Sequence, residues 1–249
     1  MQDILMKNKK ITLVIPYYDN GGMLEIQQRI WMKYSNDIID NLSFIIVDDG
    51  SPVNKAFEHI IQDYLDLSIY YVTIDIPWNQ DHARNLGSYK ADTEWLILTD
   101  MDHIIPEETI SYLLNNIKVF DDKYYYTFDR INYKDNSDYK YHPNSYFISK
   151  KLYWEIGGYD EEFAGYYGTD GLFRKRMDIV SRGKIHLDGF KIIRCGREDI
   201  PDASTRTLHR KDGRNLSLGK KIHDRFNYKL KNKIPPKTLS FPYIKEYPI

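Results

Sequence analysis

The sequence predicts an α/β fold: a Rossmann-like, mixed but mainly parallel sheet flanked by helices in a single domain. Three observations lead there. Short apolar runs end at Pro, Gly or Asp. Segments with helical apolar spacing lie between them. The runs are apolar on both faces, as a sheet covered by helices on each side requires.

Each element follows in order. Ile11 to Ile15 is an apolar run closed by Pro16, which predicts a buried strand. Asn20-Gly21-Gly22 breaks it, and Met23, Ile26, Ile30, Trp31, Tyr34 and Ile38 then predict one helix to about Asp40. Phe44 to Val47 is a second strand, followed by Asp48-Asp49-Gly50-Ser51-Pro52. A helix is expected from about Asn54 to Leu65, burying Phe57, Ile60, Ile61 and Tyr64. Ile69 to Ile74 is a third strand, Asp81 to Lys90 a helix, and Trp95 to Thr99 a fourth strand. Crossovers between parallel strands should be right-handed.

Beyond residue 104 the pattern changes. Pro106 to Lys118 opens with proline and two glutamates, which suits a helix start. Strands are predicted over Tyr124 to Ile131 and Tyr146 to Ser149, with a polar, Tyr-rich loop between them. Helices are expected over Lys151 to Ile156, ended by Gly157-Gly158, and over Phe173 to Ser181. Two strands flank Asp188-Gly189, at Lys184 to Leu187 and Phe190 to Cys195. Arg206 to Lys233 is basic and partly helical, and the tail after Pro235-Pro236 reads as extended. The chain thus divides into two halves, residues 1–104 and residues 105–249, the second carrying the basic C-terminal segment.

Composition bounds the class. The 249 residues include 35 Lys+Arg and 36 Asp+Glu, a net charge of -1, which excludes a uniformly basic nucleic-acid binder. The sum hides a contrast. Ten cations between Arg206 and Lys233 against Asp212 and Asp224 give that segment +8, so the rest must carry -9. Such a segment either contacts a polyanion or pairs with the acidic body. One cysteine, Cys195, excludes an internal disulfide and a multi-cysteine metal site, and its neighbours suggest a buried, inert thiol. No apolar run spans a membrane and Met1 to Lys10 lacks a secretory apolar stretch, so a soluble, cytoplasmic protein is expected. The 22 tyrosines suit surfaces that stack on sugars or bases; Tyr139, Tyr141, Tyr146, Tyr166 and Tyr167 are the candidates.

The chemistry sits at strand ends, where open α/β sheets bind ligands. Strand one ends in Pro16-Tyr17-Tyr18-Asp19, strand two in Asp48-Asp49, and strand four in Asp100-Met101-Asp102. An Asp-x-Asp after a strand can hold Mg²⁺ or Mn²⁺ against a diphosphate, or it can be a solvated turn. The Gly-x-Gly-x-x-Gly dinucleotide fingerprint is absent.

Four stretches, Leu13 to Tyr18, Ile46 to Ser51, Ala83 to Gly87 and Thr99 to Asp102, make the N-terminal half resemble the GT-A nucleotide-sugar glycosyltransferases of the family 2 type, in order and approximate spacing. The resemblance implies a nucleotide-sugar-binding half over residues 1–104 and an acceptor-binding half over residues 105–249, and that Pro16 and Tyr18 line the nucleobase. It implies that Asp49 accepts from a uracil N–H with support from Asp48, and that Arg84 lies near the diphosphate or base. Asp100 would face ribose and metal, and Asp102 would ligate the metal. Farther on, Gly157-Gly158-Tyr159-Asp160 and Gly165-Tyr166-Tyr167-Gly168-Thr169-Asp170 resemble the acceptor motif of family 7 galactosyltransferases. That implies Asp170 as general base and Tyr166 as sugar platform, with Tyr167 beside it where the family has Gly, and Thr169 where it has Glu. A helix N-cap is the plain alternative for Asp170, and a surface ion pair the one for Arg84. In many GT-A enzymes a late histidine completes the metal shell; His209 fits, and His103 competes with it. His82 and His142 are candidates to lie near the site, whereas His59, His186 and His223 are taken as structural. Asp160, Glu161 and Glu162 are read as solvated or structural.

The expected function is therefore metal-dependent, inverting transfer of a sugar from a nucleotide sugar, a UDP-sugar, to an acceptor hydroxyl. One base and a metal-held leaving group suit a single displacement. The acceptor is a glycan, a lipid-linked saccharide, a protein or modified DNA. Two rivals stand beside it: a sugar nucleotidyltransferase, which would release pyrophosphate, and a noncatalytic nucleotide-sugar-binding module.

Overall fold

A computed structural model of the protein describes residues 9–61, 64–204 and 216–248. Nine strands form one mixed sheet: β1 (Ile11–Tyr17), β2 (Leu42–Asp48), β3 (Leu67–Val72), β4 (Trp95–Leu98), β5 (His103–Ile104), β6 (Tyr124–Asn132), β7 (Tyr146–Ser149), β8 (Gly183–Arg194) and β9 (Tyr243–Tyr247). Their order is β5-β8-β6-β7-β4-β1-β2-β3-β9. The run β4-β1-β2-β3 is parallel, β6 is parallel to β8, and β7, β5 and β9 join antiparallel.

The apolar runs serve both faces. Leu13, Ile15, Phe44 and Ile46 enter one core, while Val14, Ile45 and Val47 enter the other. This is the two-residue alternation of a strand with no polar side. The first core lies under α1 (Gly21–Trp31), α2 (Asn36–Ile39) and α4 (Glu107–Asn115). The second lies under α3 (Gln80–Lys90), α5 (Lys150–Ile156) and α6 (Asp170–Val180). Helix α3 comes so close to β1 that a Cβ at Gly87 would stand 2.4 Å from Val14 Cγ1. Glycine is therefore what lets this helix rest on the sheet.

Three expectations are corrected. The helix from Met23 to Asp40 is two helices, broken before Asn36, where the Ser35 N–H donates to Glu107 Oε1 at 2.9 Å. The helix expected from Asn54 is only a 3₁₀ turn, Ala56–His59, with Phe57 41% and Tyr64 54% exposed. Its backbone is satisfied elsewhere: Ala56 N–H donates to Asp48, Ile61 N–H to Gln28 Oε1, and His59 C=O accepts from Gln28 Nε2. The two strands around Asp188-Gly189 are one strand, β8, with an irregularity opposite Phe128 and Asp129. The tail is extended as expected, and it contains β9, which pairs with β3.

The basic segment contributes α7 (Leu216–Lys231), whose Phe226 is buried with Phe163 and Leu172. Buried Lys229 lies 2.5 Å from Asp160 Oδ2 and 2.9 Å from Glu162 Oε2, and Arg225 Nε lies 2.6 Å from Glu162. These two cations thus answer the body's own acids, while Lys220, Lys221 and Lys231 face solvent. Asp160 also accepts from Lys237 N–H at 2.9 Å, and Glu161 from Leu239 and Ser240 N–H at 2.7 and 2.6 Å. These acids are structural, and they tether the tail on its way to β9. Among the described residues no helix is long and apolar enough to cross a membrane.

Candidate active site

The carboxyl ends of β1, β2 and β4 share one edge of the sheet. Asp48 organises the loop after β2. Its two oxygens accept from Ser51 N–H and Ala56 N–H, each at 2.8 Å. Gly50 has φ +82°, and a Cβ there would sit 2.9 Å from Asp75 Cα, so the turn excludes other residues. Asp48 therefore spends its oxygens on the loop rather than presenting them to a ligand. Asp49 is different. It is buried, its N–H donates to Tyr17 C=O at 2.9 Å, and its Oδ1 has no hydrogen-bond partner. Burial, then the charges of Asp48 and Asp75, pushes its carboxyl well above the usual range. Such an orphaned acceptor is costly unless a ligand donates to it. Nearby Tyr18 is half-buried and its hydroxyl donates to Asp75 at 3.2 Å; Pro16 is half-buried at the end of β1.

Arg84, fully buried on α3, joins the remaining predicted residues. One Nη pairs with Asp100 Oδ1 and the other with Asp170 Oδ1 at 3.1 Å. Gln80 Nε2 also donates to Asp170 Oδ1 at 3.1 Å. Arg84 is thus not a surface ion pair, and the Asp170 carboxylate turns to α3 from the first turn of α6. Burial would raise the Asp100 carboxyl, but Arg84 and then His142 hold it well below the usual range.

Residue 85 escaped the sequence reading. Asn85 Nδ2 donates to Tyr159 C=O and Glu161, and its Oδ1 accepts from Tyr153 Oη and Tyr159 N–H. So adjacent helical positions bind the second half twice, Arg84 through Asp170 and Asn85 through Tyr159. Polar residues on a helix face aimed at the sheet were the available signal.

His142 and His103 meet at Asp100. Their rings stack at 3.9 Å, and the ligand atoms of Asp100, His103 and His142 lie within 4.8 Å of one another. His142 Nδ1 lies 2.7 Å from Ser145 Oγ, leaving Nε2 3.3 Å from Asp100 Oδ2. His103 Nδ1 lies 2.7 Å from Asp102 Oδ1, and its buried Nε2 has no partner. Burial, then His103, lowers the His142 pKa, which favours the neutral, ligating imidazole. One carboxylate and two imidazoles, that of His142 fixed by Ser145 and that of His103 facing Asp102, fit a divalent ion such as Mn²⁺. His209 lies outside the described residues.

The other assignments sort as follows. Tyr166 and Tyr167 are half-buried, and Tyr167 meets Trp78 edge-on at 4.8 Å. Tyr139 and Tyr141 are exposed, but Tyr146 is fully buried with its hydroxyl 2.8 Å from that of Tyr159, so it offers no sugar platform. His82 is buried beside Glu161 and Phe241, a structural position. Cys195 is buried, and burial with Asp102 pushes its thiol up to about 12, which makes it inert.

Asp81 also lies buried here and accepts from Thr169 Oγ1 at 3.1 Å. Burial, then Asp170, pushes it up to about 8 from the usual 3.8. The folded state then binds more protons than the unfolded one. Stability from neutral Asp81 is full below pH about 4 and drains as pH rises toward 8. Asp81→Asn keeps the acceptor for Thr169 and should flatten that decline, melting above the wild type at pH 8 but not at pH 5. Parallel pH slopes in thermal melts of the two proteins would exclude Asp81 as the titrating group.

Comparison with known proteins adds the following. A family model described as glycosyl transferase family 2 matches residues 12–176. No curated protein matches. Among solved structures, S. aureus TarS 1-349 superposes with a TM-score of 0.62 at 16% identity, covering 78% of this chain and 63% of that one. The same protein in complex with UDP-GlcNAc gives 0.63 at 14%, covering 80% and 62%. The mannosyltransferase PcManGT from Pyrobaculum calidifontis, in complex with GDP-Man and Mn²⁺, gives 0.58 at 15%, covering 81% and 59%. The likeness is one of fold, and the chain spans less than two thirds of each of these structures.

Proposed function

The chain belongs to glycosyl transferase family 2, and from there we propose that it transfers a sugar from a UDP-sugar to an acceptor hydroxyl, with inversion and with a divalent metal. The observation that carries this reading is the Arg84 bridge, which brings Asp100 at the end of β4 and Asp170 at the start of α6 to one guanidinium. The strand-end acids and the acid of the second half thereby face one centre.

In this reading Asp49 takes the uracil. Uracil carries an N–H, and the unpartnered Asp49 Oδ1 is an acceptor. Asp100, His103 and His142 would hold Mn²⁺ or Mg²⁺, and Asp102 would act on the same ion through His103, whose Nδ1 it faces. When bound, the ion neutralises charge on the leaving diphosphate. Asp170 receives the acceptor's hydroxyl proton as the new C–O bond forms and the bond to the diphosphate breaks. A single displacement of this kind inverts the anomeric carbon. Half-buried Tyr166 and Tyr167 are apolar surface for a sugar ring. The acceptor itself is a glycan or another biopolymer.

The test is turnover of a UDP-sugar panel with Mn²⁺ and with chelator. Transfer should require the metal, and Asp102→Ala should weaken Mn²⁺ binding by about 10–100-fold. Equal Mn²⁺ affinity and turnover in the variant would remove Asp102 from the site. Pyrophosphate release in place of sugar transfer would point to nucleotidyl transfer.

A further inference from the structure

Arg130 is a buried cation that the reaction above does not use. It lies near the end of β6, 9% exposed, and its Nε has no hydrogen-bond partner. Its Nη1 reaches only the Lys140 carbonyl, at 3.4 Å. Among the described residues no carboxylate stands within ion-pair distance of it. A second guanidinium shares its surroundings. Arg130 Cζ lies 4.8 Å and Arg194 Cζ 4.9 Å from the centre of the exposed Tyr139 ring. Both arginines adjoin the metal motif. Arg194 pairs in register with His103, Cys195 N–H donates to Asp102 C=O at 2.8 Å, and Asp102 is the first of the acidic charges acting on Arg130. Arg194 is partly answered by Glu198 at 2.6 Å; Arg130 is not answered by any such contact.

A buried guanidinium without a counter-ion is expensive, and a second one beside it adds repulsion. With a divalent cation at Asp100, the neighbouring acids are already engaged. An anion held by the guanidiniums relieves the imbalance, and guanidinium forks suit phosphate or carboxylate oxygens. Position says which substrate brings it. Strands β6 and β8 lie beyond β7 and β4 from Asp49 at the end of β2, on the far side from the nucleobase.

We propose that Arg130 and Arg194, flanking Tyr139 beside Asp102, form a subsite for a phosphate or carboxylate group carried by the acceptor. This rests on the transfer reading for which side is the acceptor's, but the subsite can be tested apart from turnover.

The experiment is saturation-transfer NMR on the full chain with UDP and Mg²⁺, titrating glucose 6-phosphate against glucose. The wild type should favour the phosphate by at least about tenfold. Arg130→Gln should abolish that preference, and so should Arg194→Gln, whose side chain is less buried. No preference in the wild type, or one that survives in both variants, overturns the subsite. Loss of UDP affinity with uridine affinity intact in the variants assigns the pair to the donor diphosphate and overturns the acceptor assignment. A wild type that does not bind UDP yet keeps the phosphate preference would instead fail the transfer reading and leave the anion subsite standing.

Discussion

Replacing Arg84 with methionine is expected to abolish sugar transfer and to destabilise the protein by about 3–5 kcal/mol, as loss of one partner from a buried ion pair does. The guanidinium is fully buried and divides its two Nη groups between Asp100 and Asp170. Without it, two carboxylates from opposite halves face each other with no cation between them. Arg84→Lys should restore part of the stability but little of the turnover, because one ammonium does not reproduce a planar two-armed donor. A second readout follows from the same electrostatics. Added Mn²⁺ should raise the melting temperature of Arg84→Met more than that of the wild type, since the ion then replaces the positive charge that Asp100 has lost. Wild-type turnover in the methionine variant would sever the link between the bridge and catalysis.

Asp170→Asn should lower kcat by about 10²–10⁴ while leaving UDP affinity within about twofold. The amide oxygen can still accept from Arg84 and Gln80, so the architecture is kept and only the capacity to take a proton is lost. The melting temperature therefore separates this variant from the one above: little change here, a large drop there. If kcat persists at the wild-type level, another group takes the acceptor's proton.

Much of this was legible in the chain. The apolar runs named all four strands of the parallel run β4-β1-β2-β3, and three residues named from short motifs, Arg84, Asp100 and Asp170, lie in contact. Local pattern succeeds where burial on both faces forces it. It failed where side chains satisfy backbone at a distance. The periodic spacing of Phe57, Ile60 and Ile61 suits a helix, yet Gln28 and Asp48 take the N–H and C=O groups that a helix would use. For a similar reason the sequence puts His142 near the site without making it a ligand. Its approach to Asp100 depends on a loop crossing from β6 to β7, which no spacing in the sequence encodes. Asn85 lies within a motif, but its four hydrogen bonds go to three residues far along the chain, Tyr153, Tyr159 and Glu161.

The pairing of β9 with β3 carries a consequence for how the protein is made. Strand β3 leaves the ribosome early and β9 late, so the ladder of β3 stands open while most of the chain is synthesised. An unpaired strand edge invites pairing with other chains. The tethers from Asp160 and Glu161 to residues 237–240 lead the tail toward that edge once the second half has formed. The acidic turn therefore acts as a guide for the closing strand, and the interval before closure is when nascent chains are most open to self-association.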